Sequence, residues 1–331
     1  MEKILSIDGG GIKGVFPAVF LAELEEDLDG DLWEYFDLIT GTSTGGIIAL
    51  GLSLGLKARD IANLYEKHGP TIFGQGPSCL PPAIKRLTKG ARWLAWGPKH
   101  PSDPLKAVLE NLLQDRRLGH ARTRVMIPAF HGKTQRVYIF KTAHADRLTT
   151  DFKELAVDVA MSTAAAPTYF EEYHTERDLG LVDGGLWANN PSGIAVVEGI
   201  GTLGSKPSKV RVLSVSCLED VDEIRSRTGA IRFAPQMAGF FMAGQSHGSL
   251  GIAHVLTGHV GGSDHRAIYR VTQSVGPNVY KLDDTRTIRD LKSRALAEAR
   301  EQKPNLAEIF FGEKAERFEP VHKLSEELTY E

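Results

Sequence analysis

One serine in this sequence stands in the surroundings that a serine nucleophile needs. The segment Gly41-Thr42-Ser43-Thr44-Gly45 places Ser43 between two glycines, each two residues away. An apolar stretch precedes the segment and small, apolar residues follow it, which predicts a strand, a sharp turn and a helix. Such a turn projects the serine oxygen clear of the backbone, and the helix start favours developing negative charge. Ser43 is therefore a candidate nucleophile, although a turn without chemistry fits the same five residues.

A second glycine-rich segment, Asp8-Gly9-Gly10-Gly11-Ile12-Lys13-Gly14, follows the first predicted strand. Consecutive backbone N–H groups without side chains can hold an oxyanion, and losing one such donor typically costs about 3 to 4 kcal/mol of barrier. Gly10 and Gly11, together with Gly9, are the candidate donors. Gly9, Gly11 and Gly14 also fit a dinucleotide-binding pattern. That pattern requires an acid after the second strand, which here ends at Gly41.

The same glycine loop leaves a second nucleotide-binding alternative open. Ile7 to Gly11 fits the phosphate loop of the sugar kinases and actin-like ATPases, and Asp183-Gly184-Gly185 fits its second half. In that fold the loop joins two strands of a hairpin. Residues Val15 to Leu28 instead carry apolar residues at helical spacing, which argues against the hairpin. A kinase or dehydrogenase that binds phosphates with this loop is the alternative function.

A serine nucleophile needs a base within hydrogen-bond distance, and Asp183 is the candidate. It ends the apolar stretch Leu181-Val182 and begins a glycine turn with Gly184 and Gly185. By itself an Asp-Gly-Gly segment is more often only a turn. Histidines also follow Asp183, so that a serine, aspartate, histidine triad in chain order stays open; they are His247, His254, His259 and His265.

Two strand–loop–helix units near the N-terminus predict a parallel sheet covered by helices on both faces. Further strands are predicted at 124–130, 137–141, 210–217 and 267–272, and helices near 58–68, 103–115, 153–162, 190–202, 235–256 and 286–302. We expect a single domain over residues 1–331. An irregular segment at 69–103 is expected to be a lid or membrane-contact insertion, and a C-terminal tail is expected after about residue 303.

Composition excludes several classes of protein. The formal net charge of the 331 residues is −3, so no DNA or RNA partner is predicted. Two cysteines, Cys79 and Cys217, are too few for a disulfide framework and lack metal-ligand spacing. No apolar run reaches the roughly 18 residues that span a bilayer, and the N-terminus has no signal-peptide pattern. We expect a cytoplasmic protein that acts peripherally at the inner face of the membrane.

Taken together, the motifs resemble those of the patatin-like phospholipases. The resemblance rests on DGGGIKG, GTSTG, the block Met161 to Phe170 and DGGLWANNP, which occur in this order. It extends from about residue 3 to residue 300. It implies a three-layer α/β/α fold with a mainly parallel central sheet, and hydrolysis of ester bonds in membrane lipids by a serine-aspartate dyad, without metal or cofactor.

Transferred residue by residue, the resemblance assigns three roles. Ser43 is the nucleophile, Asp183 is the base, and Gly9, Gly10 and Gly11 form the oxyanion loop; Asp8, Gly14, Gly41, Gly45, Gly184 and Gly185 complete the motifs. The family often has arginine at the position of Lys13, so the anchoring contact is expected to differ. The Ala164–Pro167 segment is expected to be structural, and Asn189 and Asn190 are expected to cap the next helix.

Two segments suggest membrane contact and control. Residues 82–96 read as a basic amphipathic helix that ends in Trp93 and Trp96, which fits either an interfacial anchor for anionic lipid or a lid. The segment 225–259 begins with Arg225, Arg227 and Arg232 and continues into a helix rich in small residues. Short patatin-like enzymes of this kind are similar to the bacterial antiphage (CBASS) effectors that cyclic nucleotides activate. The resemblance thus implies a cyclic dinucleotide activator, and a homo-oligomer is also compatible with it.

Overall fold

The computed structural model describes residues 2–74, 98–220, 230–258, 266–276 and 279–325. Its strands are β1 (Glu2–Ile7), β2 (Leu38–Gly41), β3 (Arg124–His131), β4 (Arg136–Lys141), β5 (Tyr173–His174), β6 (Gly180–Asp183), β7 (Val210–Val215), β8 (Glu219–Asp220), β9 (Ile268–Val271) and β10 (Ser274–Val275). The central sheet has the order β5-β6-β3-β2-β1-β7-β9, with β4 also paired to β3, while β8 and β10 form a separate short pair. Strands β1, β2, β3, β7 and β9 are parallel.

Helices cover both faces of this sheet. They are α1 (Val15–Glu25), α2 (Thr44–Ser53), α3 (Ala58–Gly74), α4 (Asp103–Leu113), α5 (Ala156–Ala164), α6 (Gly185–Ala188), α7 (Ser192–Gly201), α8 (Ala230–Leu256) and α9 (Ile288–Phe310). The fold is thus a three-layer α/β/α sandwich with a mixed, mostly parallel sheet, and the predicted fold class is confirmed.

Alternating side chains of β1 join the two apolar cores. Ile4 points into the core that contains Val196 of α7 and Ala253 of α8. Leu5 and Ile7 point into the larger core, which contains residues of α1, α2, α3 and α9. Because successive side chains of a strand face opposite sides of the sheet, one short apolar strand stabilises both helical layers.

The sheet brings the three glycine motifs together at one edge. In the parallel pairing of β1 with β2, Ile7 lies opposite Gly41, so the glycine loop and the Ser43 turn leave the sheet side by side. Strand β6 runs antiparallel to β3 and places Asp183 opposite Ala129, near the carboxyl end of β3. We call this edge, where the parallel strands end, the active-site edge.

The predicted elements are confirmed apart from their ends. The four further strands and six further helices all occur, but α9 continues to Phe310, so any tail begins later than residue 303. The short strands β5 and β6 were not predicted. The predicted anchor or lid at 82–96 lies outside the described residues, as do Arg225, Arg227, His259 and His265. Within the described ranges, no helix combines the length and apolar content needed to cross a bilayer.

Candidate active site

Ser43 occupies a strained turn between β2 and α2. Its φ of 55° and ψ of −126° are unusual for a residue other than glycine, and such strain is held only where the surroundings enforce it. A Cβ on Gly41 would lie 2.0 Å from the carbonyl oxygen of Gly45, and a Cβ on Gly45 would lie 2.4 Å from the carbonyl oxygen of Ile7. Both flanking glycines are therefore required by close backbone approach, as the motif predicted.

A threonine that the sequence did not single out holds this turn. The N–H of Ser43 donates to Oγ1 of Thr163 at 3.0 Å, and the Thr163 hydroxyl donates to the carbonyl of Pro128 at 2.6 Å. Thr163 is fully buried near the end of α5. The available signal was a threonine inside the Met161–Phe170 block, but nothing in the sequence showed that it reaches Ser43.

Asp183 lies beside the Ser43 side chain. The Ser43 hydroxyl lies close enough to its carboxylate to lower the pKa, and the N–H of Gly185 donates to its Oδ1 at 2.7 Å. Burial raises the pKa of Asp183 to about 6, even though both neighbouring groups favour the charged form. A carboxyl group with a pKa near 6 is ionised at neutral pH but is a stronger base than an ordinary aspartate.

No histidine among the described residues hydrogen-bonds to Asp183. His247 and His254 both lie on α8. His259 and His265 are outside the described ranges. In the described part of the chain, the two side chains that could exchange a proton are therefore Ser43 and Asp183.

The glycine loop approaches Ser43 closely, but its three glycines are not equivalent. The N–H of Gly9 already donates to the carbonyl of Asn189 at 3.0 Å. The N–H groups of Gly10 and Gly11 have no acceptor among the residues that the structure describes. Gly11 has a φ of +57°, and a side chain there would also meet the carbonyl of Leu282. The two donors left for an oxyanion are thus Gly10 and Gly11.

The remaining motif residues fix the loop. A Cβ on Gly14 would collide with the side chain of Thr44, whose hydroxyl donates to the carbonyl of Gly11 at 2.7 Å. A Cβ on Gly184 would lie 2.4 Å from the carbonyl oxygen of Pro128. Lys13 is buried at 6% exposure, and its N–H donates to the carbonyl of Gly10. Asn190 accepts the N–H of Ser192, the first residue of α7, but the N-cap position itself is Pro191, so neither Asn189 nor Asn190 is the predicted cap.

Asp8 has a partner that sequence reasoning missed. Its two carboxylate oxygens accept from the two terminal nitrogens of Arg270 at 2.9 and 2.6 Å. Arg270 also donates to Ser214 at 2.8 Å and to Glu219 at 2.8 Å. No local pattern connects residues that are 262 positions apart. Arg270 therefore ties the residue that precedes the glycine loop to β7 and β9.

The strand–turn–helix serine, the buried carboxylate and the adjacent backbone donors are the groups that a serine hydrolase requires, and they lie together on an α/β/α fold. Residues 5–196 match the family model described as patatin-like phospholipase. The chain belongs to this family and is a lipid acyl hydrolase. The helix α1 that follows the glycine loop also removes the hairpin on which the kinase-like alternative depended.

Relatives of known name agree with this assignment. The chain is 34% identical over 286 residues to a cGAMP-activated phospholipase of Pseudomonas aeruginosa, covering 86% of this chain and 78% of that protein. It is 36% identical to a cGAMP-activated phospholipase of Vibrio cholerae over 65% of this chain and 64% of that protein. Patatin-like protein 2 of Arabidopsis thaliana is 37% identical over 60% of this chain and 52% of that protein.

Proposed function

We propose that Ser43 and Asp183 form a catalytic dyad that hydrolyses acyl esters of membrane glycerophospholipids. The observation that carries the proposal is the position of the Ser43 hydroxyl beside a buried carboxylate whose pKa burial raises to about 6. Such a group can take the serine proton and remain available in its basic form at neutral pH.

The reaction begins when Ser43 Oγ attacks the ester carbonyl carbon and its proton passes to Asp183. The carbonyl oxygen becomes an oxyanion, which the N–H groups of Gly10 and Gly11 stabilise together with the N-terminus of α2. When the tetrahedral intermediate collapses, the C–O bond to the glycerol oxygen breaks. That oxygen receives the proton from Asp183, and the acyl group remains on Ser43.

Water then completes the cycle. Asp183 takes a proton from the water molecule whose oxygen attacks the acyl-enzyme, and a second oxyanion forms at the same donors. Collapse of this intermediate returns the proton from Asp183 to Ser43 Oγ and releases the fatty acid. The protons balance over the two steps, so the dyad ends in its starting state.

The test compares wild type with Ser43→Ala on mixed bacterial phospholipids, with released fatty acid as the readout. Wild type is expected to release fatty acid and to form a Ser43-linked adduct with a fluorophosphonate, detected by mass spectrometry. Ser43→Ala is expected to do neither. Equal release by both proteins would overturn the assignment of Ser43, and modification at another serine would identify the true nucleophile.

We further propose that a cyclic dinucleotide controls this activity in a cytoplasmic antiviral role. The support is the name shared by the Pseudomonas aeruginosa and Vibrio cholerae relatives, which are cGAMP-activated phospholipases. A phospholipase that is free in the cytoplasm endangers its own host, so a ligand-dependent gate is physically sensible. Fatty-acid release is to be measured with and without a panel of cyclic dinucleotides; identical rates under all conditions would refute the control.

A further inference from the structure

The two halves of helix α8 have different surroundings. In the C-terminal half, Ser246, Ser249 and Ala253 are buried at helical spacing, and Thr257, directly after the helix, is also buried. Asn190 donates to Ser246 at 3.2 Å, and the N–H of Gly193 donates to Ser249 at 2.8 Å. Both pairs are separated by 56 positions, so α7 and α8 run in the same direction. This half of α8 is packed on the body of the protein.

The preceding half extends beyond the body. Helix α7 begins at Ser192 on the active-site edge and runs toward Gly199, which lies near Ile4 at the start of β1. Since α8 runs parallel to α7 and is paired with its beginning at Gln245 and Ser246, the residues before Gln245 continue outward from the active-site edge. This outward segment therefore lies on the same side of the molecule as Ser43.

The outward segment is apolar, and two of its large side chains are exposed. Among its described side chains from 237 to 245, none is buried. Phe241 is 67% exposed and Met237 is 36% exposed. Leu186, 55% exposed, lies three residues after Asp183 on α6, which packs against α8. Burial of the exposed Phe241 side chain against a partner would therefore be favourable.

The described outward segment carries no charge. Residues 237–245 contain no aspartate, glutamate, lysine or arginine. An uncharged helix surface with exposed apolar side chains can insert at the interface of a lipid bilayer, where the strength of binding increases with the buried apolar area.

We propose that the outward half of α8, through Phe241 and Met237 with Leu186 beside them, is the surface by which this protein docks on a lipid bilayer. The inference rests on the proposed phospholipase function, because an ester in a membrane reaches Ser43 only if the active-site edge faces the bilayer. Insertion of Phe241 at the interface brings that edge to the lipid. A second copy of the chain is the competing occupant of this surface.

The test is flotation of the protein with phosphatidylglycerol–phosphatidylethanolamine vesicles, with and without cyclic GMP-AMP. We expect Phe241→Ser with Met237→Ser to weaken vesicle binding by about tenfold or more, which corresponds to about 1.4 kcal/mol. Hydrolysis of the vesicle lipid is expected to fall in parallel. Hydrolysis of a soluble monomeric ester is expected to stay unchanged, because neither residue belongs to the catalytic machinery.

Val321→Ser is the matched control. Val321 is 49% exposed, and its N–H donates to the carbonyl of Ala143, which follows the end of β4 on the opposite edge of the sheet. This variant is expected to bind vesicles as wild type does.

Three results would overturn the docking surface. They are unchanged vesicle binding by the double variant, equal loss in Val321→Ser, and absence of vesicle binding by wild type under every condition. Loss of a dimer in the double variant, seen by light scattering without a change in vesicle binding, would assign the surface to a second copy. Failure to hydrolyse any ester, with vesicle binding still dependent on Phe241, would refute the phospholipase proposal and leave the docking surface standing.

Discussion

Two buried aspartates lie at the active-site edge, and their surroundings differ in one respect. Asp8 is 3% exposed and forms a bidentate ion pair with Arg270. Asp183 is 5% exposed, and no arginine, lysine or histidine in the described ranges pairs with it. Its partners are the hydroxyl of Ser43 and the N–H of Gly185.

One fold therefore gives the same type of side chain two different electrostatic surroundings. Arginine does not lose its proton in proteins, and the two terminal nitrogens of Arg270 satisfy both carboxylate oxygens of Asp8, so the pair serves as a fixed cross-link. Burial raises the pKa of Asp8, and the Arg270 guanidinium opposes that rise. Asp183 has no such cation, and its pKa rises to about 6. The absence of a cation is what suits Asp183 to proton transfer.

The largest expected effect comes from removing the basic function of Asp183. Asp183→Asn keeps the shape and an acceptor for Gly185 but cannot take the serine proton. We expect ester hydrolysis to fall by about 10⁴-fold, in the range seen when a residue of a serine hydrolase site is removed. Steady-state kinetics on a soluble ester measure this, and the Asp8→Asn variant assayed beside it is expected to lose far less. Comparable losses in both would show that the two carboxylates do not have distinct roles.

Removal of the Arg270 guanidinium tests the structural role of Asp8. Arg270→Gln leaves the Asp8 carboxylate buried without a charge partner, and breaking a buried ion pair in this way costs about 3 to 5 kcal/mol of unfolding free energy. Urea denaturation of Arg270→Gln, and of the double variant with Asp8→Asn, provides the measurement. The double variant is expected to recover part of the loss, because it no longer buries an unpaired charge. If the single variant were as stable as wild type, the pair would not be a structural cross-link.

The same Asp183→Asn variant is expected to be more stable than wild type at neutral pH. The wild-type protein buries a carboxylate whose folded pKa of about 6 exceeds the ordinary value of 3.8. Above pH 6 the folded state therefore bears a cost of about 2 to 3 kcal/mol that the amide does not. The advantage should shrink as the pH falls below 6 and disappear below about pH 3, where the carboxyl is protonated in both states. Denaturation curves at pH 7.5 and pH 4 check the sign; a constant difference between them would contradict the raised pKa.

The pH dependence of the activity tests the raised pKa of Asp183 directly. If the ionised form of Asp183 is the base, kcat/KM on a soluble ester should fall about tenfold per pH unit below pH 6 and be flat above it. Rates are to be taken only where circular dichroism shows the protein folded. A profile that stays flat down to pH 4.5 would mean that Asp183 titrates as an ordinary aspartate.

The sequence predicted most of the fold because its signals were local. Apolar strands that end in glycine loops predicted β1 and β2 and their helices, and Ser43 and Asp183 were found from motifs only a few residues long. The short strands β5 and β6 were not predicted, since they are defined by the pairing of β6 with β3 and of β5 with β6 rather than by their own pattern. Gly9 was expected to donate to the oxyanion, but its N–H is engaged by Asn189, which follows it by 180 positions.

The sequence alone was thus enough to predict the candidate nucleophile, its candidate base and the layered architecture, because backbone conformation and apolar periodicity depend on neighbouring residues. Only the tertiary structure decided which partners those residues have. Thr163 reaches the N–H of Ser43 from another helix, and Arg270 reaches Asp8 from a distant strand. The pKa of Asp183 likewise depends on burial and on the charges that the fold places nearby. These are properties of three-dimensional packing, and no spacing along the chain encodes them.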